Sequence, residues 1–103
     1  METKQYPRES DLQGLAAQAQ TMVQEDAKRF RDEGTCVLGA GIAVQAIPNG
    51  SGEAAQGCHK PRQILLTEAP FQGNLGSQRA SDRALAWLKE QGIDAYWYDG
   101  RMD

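Results

Sequence analysis

Apolar residues recur at three- and four-residue steps through Leu12, Leu15, Ala16, Ala19, Met22, Val23, Ala27 and Phe30. That spacing lays one stripe along a helix, because residues three and four apart share a face. Ser10 stands three positions before Gln13, the spacing of a reciprocal capping box, and Gly34 follows the last charged turn. The pattern therefore predicts a helix over residues 11–33, entered at Ser10 and stopped at Gly34.

From Thr35 the period changes to two. Cys36, Leu38, Ala40, Ile42, Val44 and Ala46 are apolar, and the alternate set Val37, Gly39, Gly41 and Ala43 is small or apolar too. Alternation is the mark of a strand, and a strand apolar on both sides belongs in the centre of a sheet. Pro48-Asn49-Gly50-Ser51-Gly52 breaks the pattern. Arg62–Glu68 reads as a second strand, so residues 35–68 form a hairpin with a long tip. After a loop with Pro70, Gly73, Asn74 and Gly76, a second helix is expected from a cap at Ser77 or Ser81. Its inward residues are Ala80, Ala84, Leu85, Trp87 and Leu88, and Gly92 ends it. Ile93–Tyr98 is β-branched and aromatic, hence a third strand.

The order α-β-β-α-β predicts an α+β two-layer sandwich: a three-stranded, mostly antiparallel sheet with both helices on one face. The first strand is central, in the order 2-1-3, and the crossover from the second to the third strand is expected to be right-handed. Residues 10–99 form the one domain, with a loose arm at 1–9 and a tail at 100–103. With the even positions of the first strand turned to the helices, Val37, Gly39, Gly41 and Ala43 look outward. Ile93, Ala95 and Trp97 point inward, leaving Tyr96 and Tyr98 with their hydroxyls in water. Two outcomes are open for that outer face: the tyrosines fold over the glycines within one monomer, or the face meets another chain.

Composition narrows the function classes. The chain has 103 residues, 40% of them hydrophobic and 24% charged, with 11 Lys and Arg against 14 Asp and Glu. A net charge of -3 weighs against extended nucleic acid, whose phosphates call for a basic surface. The first twenty residues lack an apolar signal-peptide stretch, and the longest apolar run, Val37–Val44, is far shorter than the ~20 residues of a membrane span. The expected setting is soluble and cytoplasmic, where Cys36 and Cys58 stay as free thiols.

Candidate chemistry is sparse. Gly39 and Gly41 have the spacing of a dinucleotide-binding turn, but the third glycine position holds Val44, and Pro48-Asn49-Gly50 would end the helix that must follow. Cys36, Cys58 and His59 lack the close ligand pairs of a metal site, and the single histidine leaves a serine or cysteine nucleophile one possible base. No cofactor, metal or catalytic residue is assigned, and the chain is read as a non-enzyme. The middle third is its most basic part, with Lys60, Arg62, Arg79 and Arg83 against Glu53, Glu68 and Asp82. The leading reading is a small binding or regulatory protein (an inhibitor, an adaptor or a mobile-element accessory factor). It would contact another protein or a second copy of itself through Tyr96, Tyr98, Gly39 and Gly41, the hairpin tip or an exposed strand edge. The alternative is a binder of small anions, nucleotides or nucleic acid, using Lys60, Arg62, Arg79 and Arg83 around the amides at the second helix's start.

Overall fold

The computed structural model describes residues 6–47 and 61–102. Its elements are α1 (Glu9–Ala27), β1 (Val37–Leu38), β2 (Gly41–Ala46), β3 (Arg62–Leu65), α2 (Asn74–Glu90), β4 (Tyr96–Tyr98) and β5 (Arg101–Met102). β3, β2 and β4 form an antiparallel sheet in that order, so the expected central strand is central. The α+β sandwich is the architecture read from the periodicity. Leu12, Ala19 and Val23 of α1 and Ala84 and Leu88 of α2 share one core with Ile42, Val44 and Ala46 of β2. Ile42 and Leu88 are fully buried, and removing a side chain of that size from water stabilises by about 1.5–3 kcal/mol. Ile93 and Trp97 pack against this core and Ala95 lies within it, on the inward side expected for them.

Both helices differ from expectation at their starts. Arg8, in extended conformation, precedes α1 and supplies no side-chain cap, while Ser10 already lies inside the helix. The entry is set by pairing: the Ile47 amide donates to the Pro7 carbonyl and the Glu9 amide to that of Ile47, both at 2.9 Å. Residues 7–9, expected in a loose arm, thus lie beside the end of β2. The helix stops at Ala27, six residues short of the expected end at residue 33. Phe30 leaves the stripe and is exposed. The chain departs there because residues 31–35 turn across to meet the beginning of α2.

That helix begins at Asn74, ahead of both expected caps. Ser77 and Ser81 sit buried inside it. The Ser77 hydroxyl donates to the Phe71 carbonyl at 2.9 Å and accepts from the Phe71 amide at 3.2 Å, and the Ser81 hydroxyl donates to the Ser77 carbonyl at 2.8 Å. At the other end the expectation holds: α2 stops at Glu90, and Gly92 at φ +83° lets the chain turn away.

The long first strand is broken in two. β1 pairs with β5 in the same register in which β2 pairs with β4: Val37 faces Met102, Leu38 faces Arg101, and Gly41 faces Tyr98. Carried across the break, this register sets Gly39 opposite Gly100, at φ +72° and +74°. Such φ values cost an L-residue about 1–2 kcal/mol, which glycine avoids. Two opposed glycines therefore bend one antiparallel ribbon on both strands at once. Arg101 and Met102, expected in a tail, form the outer strand of the bent part. The bend also reverses the faces: Val37, expected outward, is buried, and Leu38, expected inward, is 59% exposed. No described helix is long and apolar enough to cross a membrane.

Candidate binding surface

The face of the sheet turned away from the helices carries Gly41, Ala43 and Gln45 of β2. Beside them stand Tyr98 and Tyr96 of β4 and Leu65 and Gln63 of β3. Tyr96 stands opposite Ala43, and its hydroxyl donates to Gln63 Oε1 at 2.7 Å and accepts from Gln45 Nε2 at 3.2 Å. The ring is thereby tied to side chains of the adjacent strand β2 and of β3 beyond it, and Ala43 opposite is fully buried although no helix covers it. The expectation had both tyrosines folded over the glycines; here Tyr96 stands opposite Ala43, tied to Gln45 and Gln63.

Gly41 is covered as well, by main chain. A Cβ on Gly41 would strike the Thr67 carbonyl oxygen. Thr67 is held there by its own bonds to β2: its Oγ1 accepts from the Ile42 amide at 3.1 Å, and the neighbouring Leu66 amide donates to the Ile42 carbonyl at 2.7 Å. The expected bare strip of glycines is therefore replaced at Gly41 by the chain that follows β3 crossing over it, while Gly39 remains exposed with open space where a Cβ would stand.

What stays open lies beside the ribbon's bend. Leu38 and Leu65, 59% and 40% exposed, line a cleft of about 320 Å³ together with Val37, Gly39, Ala40, Ala69 and Phe71, with Glu68 and Gln72 among the lining residues. Of the four partner-facing candidates, Gly39 belongs to this cleft, Tyr98 is half-buried beside Gly41, and Tyr96 is engaged with Gln45 and Gln63. Leu38 and Leu65 were missed because strict alternation put Leu38 inside. The available signal was Gly39 itself, since an isolated glycine in a strand pattern often marks a bulge or bend.

The basic candidates are distributed differently. Arg79 Nη1 donates to Glu33 Oε2 at 2.7 Å. The Arg83 guanidinium grips Asp26 through two bonds of 2.9 Å and reaches Glu25 at 3.5 Å. The Arg83 hydrogen bonds hold the Asp26 carboxyl below its ordinary pKa, against the opposing pull of its burial. Arg62 is exposed on β3, and Lys60 lies outside the described residues. The start of α2 is met by the chain itself. The Gly73 amide donates to Asp32 Oδ1 at 2.6 Å, the Asn74 amide to the Thr35 carbonyl at 3.0 Å, and the Gly76 amide to the Glu33 carbonyl at 3.1 Å. A carboxylate at a helix N-terminus is favourable for the reason an external anion would be, and here Asp32 takes that place. The Arg79 and Arg83 pairs tie α2 to α1 and the segment after it.

Cys36 is exposed beside β1 and paired through its backbone with Gly73, while Cys58 and His59 lie outside the described residues. Among the described residues no group of His, Cys, Asp and Glu is placed to hold a metal ion. Comparison of the chain with protein-family models, with curated proteins and with solved structures finds no match.

Proposed function

We propose that this chain is a small, non-catalytic protein-binding domain whose contact surface is the cleft at the bent ribbon. The observation that supports this reading is the exposure of Leu38 and Leu65 side by side on a concave surface of the sheet's uncovered side. An apolar side chain from a partner would bury both leucines, and each gains up to about 1.5–3 kcal/mol on full removal from water. Glu68 and Gln72 supply polar contacts at the same cleft, in the manner of a polar rim around an apolar centre. The partner is another protein or a second copy of this chain, in a cytoplasmic setting. The anion reading has less to work with, because Arg79 and Arg83 already hold carboxylates.

A photo-crosslinking residue at position 38, introduced into the protein in its source cells, tests this reading. A discrete protein adduct is expected from position 38 and none from position 82, on the exposed side of α2. The adduct should disappear when Leu65 is replaced by lysine, and it should survive moderate salt. Equal labelling from both positions, or an adduct indifferent to Leu65→Lys, would overturn it.

A further inference from the structure

Between β4 and β5 the chain reads Asp99-Gly100, the one Asp-Gly step in the sequence. An aspartate in this position can react with its own backbone. The next amide nitrogen reaches the side-chain carboxyl carbon, and a glycine there has no Cβ to obstruct the approach. Asp99 is exposed and stands outside both strands. The Gly100 amide donates no hydrogen bond among the described residues, so its nitrogen is not engaged in the ribbon's ladder. The fold also demands glycine at this position: φ is +74°, and a Cβ would strike the Leu38 carbonyl oxygen and stand 2.8 Å from the Ala40 nitrogen. The bend of the ribbon and the reactive step therefore come as one.

One contact opposes the reaction. Trp97 Nε1 donates to Asp99 Oδ1 at 2.7 Å and ties the carboxyl group to a side chain two residues back. Trp97 is itself packed against the core, which steadies the indole. Closing a ring onto the Gly100 nitrogen swings the carboxyl group away from this donor and costs that bond.

We propose that Asp99 is a site of spontaneous isomerisation to isoaspartate, restrained by Trp97, and that the change opens the β1–β5 end of the ribbon. The Asp99 carboxyl, in its acid form, is attacked at its carbon by the Gly100 nitrogen. A C–N bond forms, and the carboxyl hydroxyl leaves with the nitrogen's proton as water. Water then adds at the former main-chain carbonyl of Asp99 and breaks that carbon's bond to nitrogen, so the main chain runs through the side chain. The water lost is regained, and no oxidant, reductant or other reactant enters. The main-chain path gains one carbon, about 1.5 Å. It is inserted between Tyr98, which pairs with Gly41, and Arg101, which pairs with Leu38. The shared register breaks there, and the two-residue β1–β5 pairing is the weaker side. The inference stands apart from the protein-binding reading, although Leu38 of that cleft lies on β1.

The test is incubation of the full chain for weeks in warm neutral buffer, followed by isoaspartyl methyltransferase with a labelled methyl donor. Trypsin releases residues 90–101, which carry Asp94 and Asp99 on one peptide, and electron-transfer fragmentation locates the isoaspartate. It should accumulate at Asp99, while Asp94, followed by the buried Ala95, stays unmodified. Trp97→Phe removes the indole donor and keeps a ring, and should speed formation about fivefold, the rate equivalent of one ordinary hydrogen bond. Should that variant fail to fold, the comparison of Asp94 with Asp99 in the unaltered chain still decides. In the modified protein the amides of β1 and β5 should exchange hydrogen faster, with those of Ile42 and Val44 unchanged. Absence of isoaspartate at Asp99, equal amounts at Asp94 and Asp99, or an unchanged rate in folded Trp97→Phe would overturn the proposal. So would modified protein whose β1 and β5 amides exchange as before.

Discussion

Replacing Gly41 with alanine places a methyl group where the Thr67 carbonyl oxygen stands, with the Thr67 carbonyl carbon 3.1 Å and the Glu68 Cα 3.7 Å from the new carbon. Something must move, and the neighbour is main chain rather than the end of a flexible side chain. Thr67 is anchored from both sides: Leu66 bonds to Ile42 at 2.7 Å, and Ala69 bonds to the Ala40 carbonyl at 3.1 Å. Forcing an extra carbon into a closed site costs about 1–3 kcal/mol. Displacing Thr67 also withdraws its hydroxyl from the buried Ile42 amide, and an unmet buried donor costs about 1–3 kcal/mol more. Allowing for partial relaxation, Gly41→Ala should destabilise by about 2–4 kcal/mol. Urea unfolding followed by far-ultraviolet circular dichroism checks this, with the midpoint falling by about 2 M at an unchanged slope near 1.5 kcal/mol/M. Thr67→Val keeps the shape and removes the acceptor, so it should reproduce about 1–3 kcal/mol of the effect by itself. A loss below about 0.5 kcal/mol for Gly41→Ala, the range of an ordinary surface change, would refute the claim that Thr67 seals this position.

Two other glycines make a contrasting pair: Gly14→Ala, on the open surface of α1, should stabilise by about 0.5–1 kcal/mol, whereas Gly39→Ala, equally unobstructed but at φ +72°, should destabilise by about 1–2 kcal/mol in the same denaturation assay. Leu88→Ala, at a fully buried site shared by α2, α1 and β2, should cost about 2–5 kcal/mol, and a change within the error of the urea midpoint would mean that α2 does not pack there. The Asp26 carboxyl, held below its usual pKa by Arg83, contributes stability that is present above the ordinary aspartate range and lost as pH falls through its lower folded value. Arg83→Met should therefore differ most from the unaltered protein near neutral pH and approach it under acid conditions, while a difference independent of pH in paired unfolding curves would rule this contribution out.

The element order, the central place of the first strand and the inward set of β4 were legible because each depends on local periodicity, and burial of one face forces that periodicity on the chain. Ile42, Val44, Ala95 and Trp97 fell where alternation put them. The candidate surface was legible only in outline. The uncovered side of the sheet followed from counting two helices against three strands, but Tyr96 closed over Ala43 rather than leaving it bare.

Tertiary structure decided the rest, at positions where a residue's partner is far away in sequence. α1 ends at Ala27 although its stripe could continue, because residues 31–35 are drawn off to satisfy the amides at the start of α2, a gain that helical spacing does not encode. The same exchange makes Asp32 the capping group and leaves Ser77 and Ser81 inside the helix. The bend between β1 and β2 needs Gly39 and Gly100 to face each other across a ribbon; Gly39 marks a break in the strand pattern, but its partner is set only by the pairing. That one bend turns Leu38 from an expected core residue into an exposed side chain lining the cleft proposed to bind a partner.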